Sequence, residues 1–191
     1  PKITGVDSSK RLPNATKAGF PTVCPDCGTP LVKDAEEAKS FCPNSDGCPM
    51  QIKGKFIHFI SRKAMNINSL GPETVDDYYR MGLIGNAADL YELKALSQSS
   101  SAENDFKSSP LGGGLAEAKI LSSIEQSKQV PFERVLYAIG IRFVGEIAAK
   151  TLARYYGSME KVAEASVESL MQINGIGEVI ANSVVQYFAN P

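Results

Sequence analysis

Four cysteines lie within 25 residues of one another and are the side chains of this chain best suited to bind a metal. Cys24 and Cys27 form a C-x2-C pair, and Cys42 and Cys48 form a C-x5-C pair after a gap of 14 residues. Two closely spaced thiolate pairs joined by a short hairpin can surround one tetrahedral Zn²⁺. The spacing therefore predicts a structural zinc site, in which protein fills all four positions and none stays open for catalysis.

Two other interpretations of the cysteines remain open at this stage. Two disulfides would require a secreted protein, but no secretory signal pattern opens the chain and no cysteine follows Cys48. A redox C-x-x-C pair would be expected next to a βαβ pattern, which this sequence lacks.

Short glycine-containing turns precede four segments with the periodicity of amphipathic helices. We call them the first (residues 67–71), second (110–114), third (141–145) and fourth (173–177) turns; the third and fourth match best, and the second matches loosely. The fourth and seventh residues after each last glycine should share one packed helical face. These residues are Val75 and Tyr78, Ala118 and Leu121, Ala149 and Leu152, and Ala181 and Val184.

A tight turn that enters a helix directs free backbone N–H groups and the positive end of the helix dipole at one point. Such a point suits a phosphate, so four turns predict repeated contacts with a phosphate backbone. The alternative is ordinary helix capping in an all-helical bundle.

The order of elements separates a small metal-binding segment from a helical one. We predict a lone strand over residues 1–6 with a polar linker to residue 20, a zinc module over 21–50, and a connecting helix from Gln51 to about Met65. Its apolar face is Ile52, Phe56, Phe59 and Ile60. From residue 67 the pattern is helical, with a Ser-rich loop between residues 96 and 110.

The charge pattern is compatible with DNA binding through backbone amides and fits a polybasic groove poorly. The whole chain carries a net charge of −1, with +4 in residues 1–66 and −5 in residues 67–191. On the connecting helix, Lys55, His58 and Arg62 should share one face and could reach phosphates. We interpret His58, the only histidine, as a surface residue and neither a metal ligand nor a general base.

The glycine turns resemble helix-hairpin-helix DNA-binding motifs. A four-cysteine finger, the segment from Ile57 to Met65 and four such motifs, in this order, resemble the C-terminal half of bacterial NAD-dependent DNA ligase. The segment from Leu136 to Gly145 is similarly characteristic of that family, and residues 1–20 look like the end of its oligonucleotide-binding (OB) domain. The predicted fold is mainly α: a tandem helix-hairpin-helix domain with four hairpins over 51–191, a four-cysteine zinc finger and a short N-terminal β remnant.

The resemblance implies a cytoplasmic bacterial enzyme that seals nicks in duplex DNA during replication and repair, with no membrane association. NAD and Mg²⁺ would act only with the catalytic domains, because this chain contains no Lys-x-Asp-Gly adenylylation motif. The fragment would not be catalytic alone. It would clamp the duplex around a nick, largely independently of sequence, alongside the adenylylation and OB domains of the same protein.

The resemblance also carries functional residues onto this chain. The zinc ligands would be Cys24, Cys27, Cys42 and Cys48. Ser69 and Phe143 replace the first hairpin glycine, and Pro110 disturbs the second motif. The residues expected to contact DNA are Lys55, Arg62, Lys63, Ser69, Gly71, Gly112, Gly114, Arg142, Gly145, Gly175 and Gly177.

Two further function classes remain as alternatives. One is a protein-interaction module in which the turns only cap a helical bundle and zinc stabilises the attached segment. The other is a helix-hairpin-helix nuclease or glycosylase, or an accessory domain of a structure-specific nuclease. The absence of a convincing carboxylate cluster for a catalytic metal and of a Lys/Asp pair behind a hairpin disfavours the enzymes.

Overall fold

The computed structural model describes residues 5, 7, 9–12, 14–16, 19–33, 39–98 and 115–189. The chain divides into two compact units, Pro1–Cys48 (the finger unit) and Pro49–Pro191 (the helical unit). Most of the predicted strand over residues 1–6, most of the predicted Ser-rich loop and the whole second turn lie outside the described residues.

The finger unit has almost no apolar interior. Its sheet is one antiparallel pair, β1 (Val32–Lys33) and β2 (Ser40–Phe41), with Val32 opposite Phe41. Cys24 and Cys48 are its only buried side chains among the described residues. So small a fold cannot rest on hydrophobic burial and requires another stabilising element.

The helical unit is built from short helices joined by tight turns. The described helices are α1 (Pro49–Ile60), α2 (Pro72–Arg80), α3 (Asp89–Gln98), α4 (Leu115–Ser127), α5 (Phe132–Ala138), α6 (Glu146–Tyr156), α7 (Met159–Ala163), α8 (Val167–Met171) and α9 (Glu178–Phe188). None of these helices combines the length and hydropathy that a membrane span requires. The predicted mainly α class is confirmed.

Two apolar clusters lie among the described residues of the helical unit. The first draws on α1 to α4 and includes Phe56 and Tyr78, whereas the second draws on α5 to α9 and includes Leu152 and Val184. Helix α5 contributes to both, because Ala138 is buried in the first cluster and Leu136 in the second.

Helix α1 ends five residues earlier than predicted, at Ile60 rather than near Met65. The amides of Met65 and Ile67 donate back to the carbonyls of Phe59 and Ile60 at 3.0 Å, and Asn66 has a positive φ of 54°. These bonds replace a continued helical ladder and reverse the chain. The apolar face of α1 is otherwise as predicted.

Because α1 ends early, the face predicted for Lys55, His58 and Arg62 was wrong. Arg62 lies beyond the helix, in the loop of residues 61–66. His58 is half-buried rather than a surface residue: its Nε2 lies 2.8 Å from the carbonyl oxygen of Tyr137, to which it donates, and its ring meets the Tyr137 ring edge-on. The sequence could not reveal this contact, because 79 residues separate the two positions.

Arg134 of α5 holds the loop that follows α1. Its Nε donates to the carbonyl oxygen of the fully buried Ala64 at 2.8 Å, and its guanidinium also donates to the carbonyl oxygen of Arg62. A charged donor bound to backbone carbonyls is one of the stronger hydrogen bonds in proteins. Arg134 therefore fixes the position of Arg62 and Lys63.

We predict that Arg134→Met lowers the free energy of unfolding by about 1–3 kcal/mol, because the carbonyl of Ala64 loses its charged donor while the aliphatic stem is kept. Urea denaturation measures the change. Arg154→Met, at an exposed position of α6, is the matched control and should change stability by less than about 0.5 kcal/mol. Equal stability of the two variants would contradict the proposed role of Arg134.

Candidate zinc centre and nucleic-acid interface

The four cysteine sulfurs of the finger unit converge on one point. All four Sγ atoms lie within 4.8 Å of one another, and the pairs Cys24–Cys48 and Cys27–Cys42 are 3.9 and 3.6 Å apart. A tetrahedral ion with Zn–S bonds of about 2.3 Å requires sulfurs about 3.8 Å apart. None of the four forms a disulfide, and the geometry fits a zinc site with four cysteine ligands.

Two backbone turns position these sulfurs. In the first, the amide of Gly28 donates to the carbonyl of Cys24 at 2.9 Å, and Gly28 has a left-handed φ of 72°. In the second, the amide of Cys48 donates to the carbonyl of Asn44 at 3.1 Å, and that of Gly47 donates to Asn44 Oδ1 at 3.0 Å. A Cβ on Gly47 would lie 2.7 Å from the same Oδ1, so any other residue there would displace the Asn44 side chain and disturb this hydrogen bond.

The thiols differ in acidity. Hydrogen bonding to the Thr29 side chain, 3.2 Å from its Sγ, lowers the pKa of Cys27 to about 6. Burial raises the pKa of Cys42 to about 11. Because zinc binds thiolates, an ion bound here would displace the protons that remain on the sulfurs.

The first, third and fourth turns of the helical unit share one backbone geometry. Two residues before the last glycine, each turn has a residue with positive φ: Ser69 (67°), Phe143 (64°) and Gly175 (88°). The last glycines, Gly71, Gly145 and Gly177, have φ of −93°, −81° and −90° and ψ near 175°. The structure thus brings Ser69 and Phe143 into the conformation of the glycine they replace.

Equivalent apolar side chains anchor these three turns. In each turn the first and fourth residues are buried: Ile67 and Leu70, Ile141 and Val144, and Ile173 and Ile176. The predicted helical face is also buried: Val75 and Tyr78, Ala149 and Leu152, and Ala181 and Val184. The buried residues of the turn and of the helix that follows it anchor the turn to the core, and its remaining residues lie at the surface.

The second repeat differs from this pattern, and its predicted face is only half confirmed: Leu121 is half-buried against the first cluster, but Ala118 is not buried. Helix α4 instead buries Ile120, Ser123, Ile124 and Ser127, at i, i+3, i+4 and i+7. Ser123 Oγ accepts a hydrogen bond from the amide of Asn68 at 2.6 Å, so this helix also packs through a polar contact. Gly112 and Gly114 lie outside the described residues.

The last glycine of each regular turn is the N-cap of a helix and provides no capping side chain. At their N-termini, α2, α6 and α9 therefore have no hydrogen bond to a capping side chain, whereas the side chains of Ser158 and Ser166 cap α7 and α8. The backbone N–H groups in the first helical turn of α2, α6 and α9 are therefore available to an external acceptor.

The fold does not itself require glycine at Gly71, Gly145 or Gly177. Their φ and ψ are accessible to any residue, and a Cβ added at any of them would meet no atom within 4 Å. Glycine at three equivalent, surface-facing positions is instead what close approach of another molecule would require.

Basic side chains from the loop after α1, from α5 and from α6 lie near the third turn. A cleft of about 450 Å³ is lined by Arg62, Lys63, Glu133, Arg134, Tyr137, Glu146 and Lys150. Lys63 Nζ lies 2.9 Å from Glu146 Oε2, and this hydrogen bond holds the pKa of Glu146 below its usual range. The pair is exposed and contributes little stability, but it neutralises an acid beside the third turn.

The remaining predicted residues do not gather at this cleft. Lys55 is exposed on α1, and Arg142 stacks on Phe143 with its guanidinium carbon 4.7 Å from the ring centroid. The sequence analysis missed Glu133, Arg134, Tyr137 and Lys150, because no local spacing links α5 to the loop after α1.

Comparison with known proteins gives one match for the four-cysteine site and one for the glycine turns. Residues 23–49 match the NAD-dependent DNA ligase C4 zinc finger domain, and residues 134–191 match a helix-hairpin-helix motif. The finger unit is thus similar to the zinc finger of NAD-dependent DNA ligases, and the end of the helical unit is similar to a helix-hairpin-helix motif. The second match spans the third and fourth turns.

Over its whole length the chain is similar to proteins named DNA ligase. The chain is 50% identical over 190 residues to a DNA ligase of Bacteroides fragilis, 50% over 191 residues to one of Phocaeicola vulgatus, and 45% over 190 residues to one of Flavobacterium johnsoniae. These alignments cover 100% of this chain but only 27–28% of each relative. The chain thus spans about a quarter of the length of the curated ligases it matches.

We predict that the chain binds one zinc ion and that Cys24→Ser or Cys48→Ser removes it, because the finger unit's buried side chains are themselves ligands. Metal analysis after gel filtration measures the zinc, and proton NMR reports whether the finger residues keep dispersed signals. Thr29→Val, which removes a hydroxyl near Cys27 but no ligand, is the control and should retain zinc. Dispersed finger signals in zinc-free protein would contradict a structural role for the metal.

Proposed function

We propose that this chain is the DNA-binding C-terminal part of an NAD-dependent DNA ligase that seals nicks in duplex DNA. The observation that carries the proposal is the set of three glycines that neither the backbone nor internal packing requires. In our proposal, sugar-phosphate backbone approaches the surface that these glycines leave open.

In the proposed contact, backbone amides in the first helical turn of α2, α6 and α9 donate hydrogen bonds to phosphate oxygens. Glycine lets the phosphate approach the amides closely, and the dipoles of α2, α6 and α9 favour its negative charge. Glu146 lies in the first helical turn of α6, and its ion pair with Lys63 reduces its repulsion of a phosphate.

Contacts of this kind fix register and do not distinguish bases, so the expected binding depends weakly on sequence. The helical unit has few basic residues at its turns, so affinity should fall with salt less steeply than for a polybasic protein. Gly112 and Gly114 remain candidate contacts at the second turn, as do Lys55 and Arg62 on the basic side.

The chemistry of ligation would belong to other domains. The chain has no Lys-x-Asp-Gly motif, so adenylylation by NAD and any Mg²⁺-dependent step would require the adenylylation and OB domains. The chain alone would clamp duplex DNA around the nick without sealing it, in the bacterial cytoplasm and during replication and repair.

Fluorescence anisotropy with nicked duplex, intact duplex and single-stranded DNA, at two salt concentrations, tests the proposal. We expect duplex binding that weakens with salt, exceeds single-strand binding and is tightest at a nick. Absence of duplex binding, both alone and in the presence of the adenylylation and OB domains, would contradict it.

We predict that Gly145→Val and Gly177→Val each weaken duplex binding roughly tenfold or more, because the added side chain holds phosphate away from the amides. Both variants should keep their helical circular dichroism, since each Cβ points into open space. Full affinity of the double variant would remove the turns from the mechanism.

Gly157→Ala is the matched control for these variants. Gly157 ends the same helix, α6, at its other terminus and has a left-handed φ of 78°, so alanine there should lower stability by about 1 kcal/mol. Its DNA affinity should stay unchanged. If Gly145→Val weakens DNA binding without lowering stability, and Gly157→Ala lowers stability without weakening binding, then Gly145 acts in binding and Gly157 in folding.

A further inference from the structure

Three large apolar side chains around the third and fourth turns are exposed. Phe143 is 50% exposed, Ile147 84% and Val179 60%. Ile147 and Val179 occupy the same position in the two repeats, two residues after Gly145 and Gly177. The same exposed apolar position in two repeats indicates a shared role.

Packing within the protein does not account for these side chains. The same two helices use other positions for their core, Ala149 and Leu152 in α6 and their equivalents in α9, and these are buried. Phe143 has φ 64°, a conformation that a bulky residue adopts at an energetic cost. The fourth turn places glycine there, at Gly175, so the backbone shape does not require an aromatic ring.

The first turn supplies an internal contrast. Its backbone is the same, but the positions equivalent to Phe143 and Ile147 are Ser69 and Glu73, both polar and exposed. The apolar surface therefore belongs to the third and fourth turns, the pair that the helix-hairpin-helix match spans, and is not part of the turn geometry itself.

The chemistry of a nucleic-acid backbone supplies a partner for this surface. In a duplex, the apolar C–H faces of the deoxyribose rings are the surface next to each phosphate. Phe143, Ile147 and Val179 are within two residues of the glycines that the proposed function places against phosphates. The Arg142 guanidinium stacked on the Phe143 ring adds a positive charge at the same edge.

We propose that Phe143, Ile147 and Val179 pack against the deoxyribose rings that flank the phosphates bound at the third and fourth turns of duplex DNA. This inference rests on the proposed function. The contact removes apolar surface from water, so it adds affinity that does not depend on counterion release. It gives a chain of net charge −1 a means of holding DNA that salt does not screen.

The test is the triple variant Phe143→Gly, Ile147→Thr and Val179→Thr, measured by anisotropy on one nicked duplex over a series of salt concentrations. Glycine suits the left-handed backbone at residue 143, and threonine keeps a β-branched side chain, matching valine in size and lacking the terminal carbon of isoleucine. We expect affinity to fall about tenfold or more with an unchanged slope of log affinity against log salt. Arg142→Gln, in contrast, should reduce that slope by about one.

Tyr155→Ser is the matched control, because it removes an apolar ring that is 60% exposed at the far end of α6. Its affinity should match that of the unaltered chain. A triple variant with unchanged affinity, or one that loses affinity only through a shallower salt slope, would overturn the sugar contact.

The outcomes separate this inference from the proposed function. If Gly145→Val weakens binding and the triple variant does not, only the apolar contact fails. If the unaltered chain does not bind duplex even with its partner domains, both fail. Self-association that the triple variant abolishes, with DNA affinity unchanged, would assign the surface to a second copy of this chain instead.

Discussion

The burial of two apolar residues within each regular turn is the constraint on which the helical unit depends. In the third turn these are Ile141 and Val144, and in the fourth Ile173 and Ile176. Because both anchors point into the core, the residues between and after them are forced outward. The following helix therefore begins at the surface, with a glycine cap and amides that no side chain satisfies. The exposed donors thus result from the same packing that makes the unit stable.

The finger unit solves its stability problem differently. With only Cys24 and Cys48 buried among its described residues, it has no apolar cluster to oppose the loss of chain entropy. Four sulfurs spaced for a tetrahedral ion replace that core. Zinc would stabilise the finger unit in the way that buried apolar side chains such as Tyr78 and Leu152 stabilise the helical unit. A site with four protein ligands therefore has a structural role without a catalytic one.

Local pattern predicted much of the fold. The spacing of the cysteines predicted their convergence. Periodicity over a few residues predicted the helix starts after Gly71, Gly145 and Gly177 and the buried positions four and seven residues later. The errors also have local causes. The end of α1 depends on backbone bonds from the loop to Phe59 and Ile60, and the face of α4 depends on Ser123 meeting the amide of Asn68. The DNA contacts stay predictions, because packing within the chain does not test them.

The sequence by itself determined the helix starts after the regular turns, the four-cysteine set and the repeat, since each is a matter of residue type at short spacing. Only the tertiary structure decided that Arg134 holds the loop after α1, that Lys63 pairs with Glu146, and that His58 is an internal partner of Tyr137. These residues are 70 to 83 positions apart. Such contacts arise when α5 packs beside α1, and side-chain periodicity within one helix carries no information about which distant helix will lie against it.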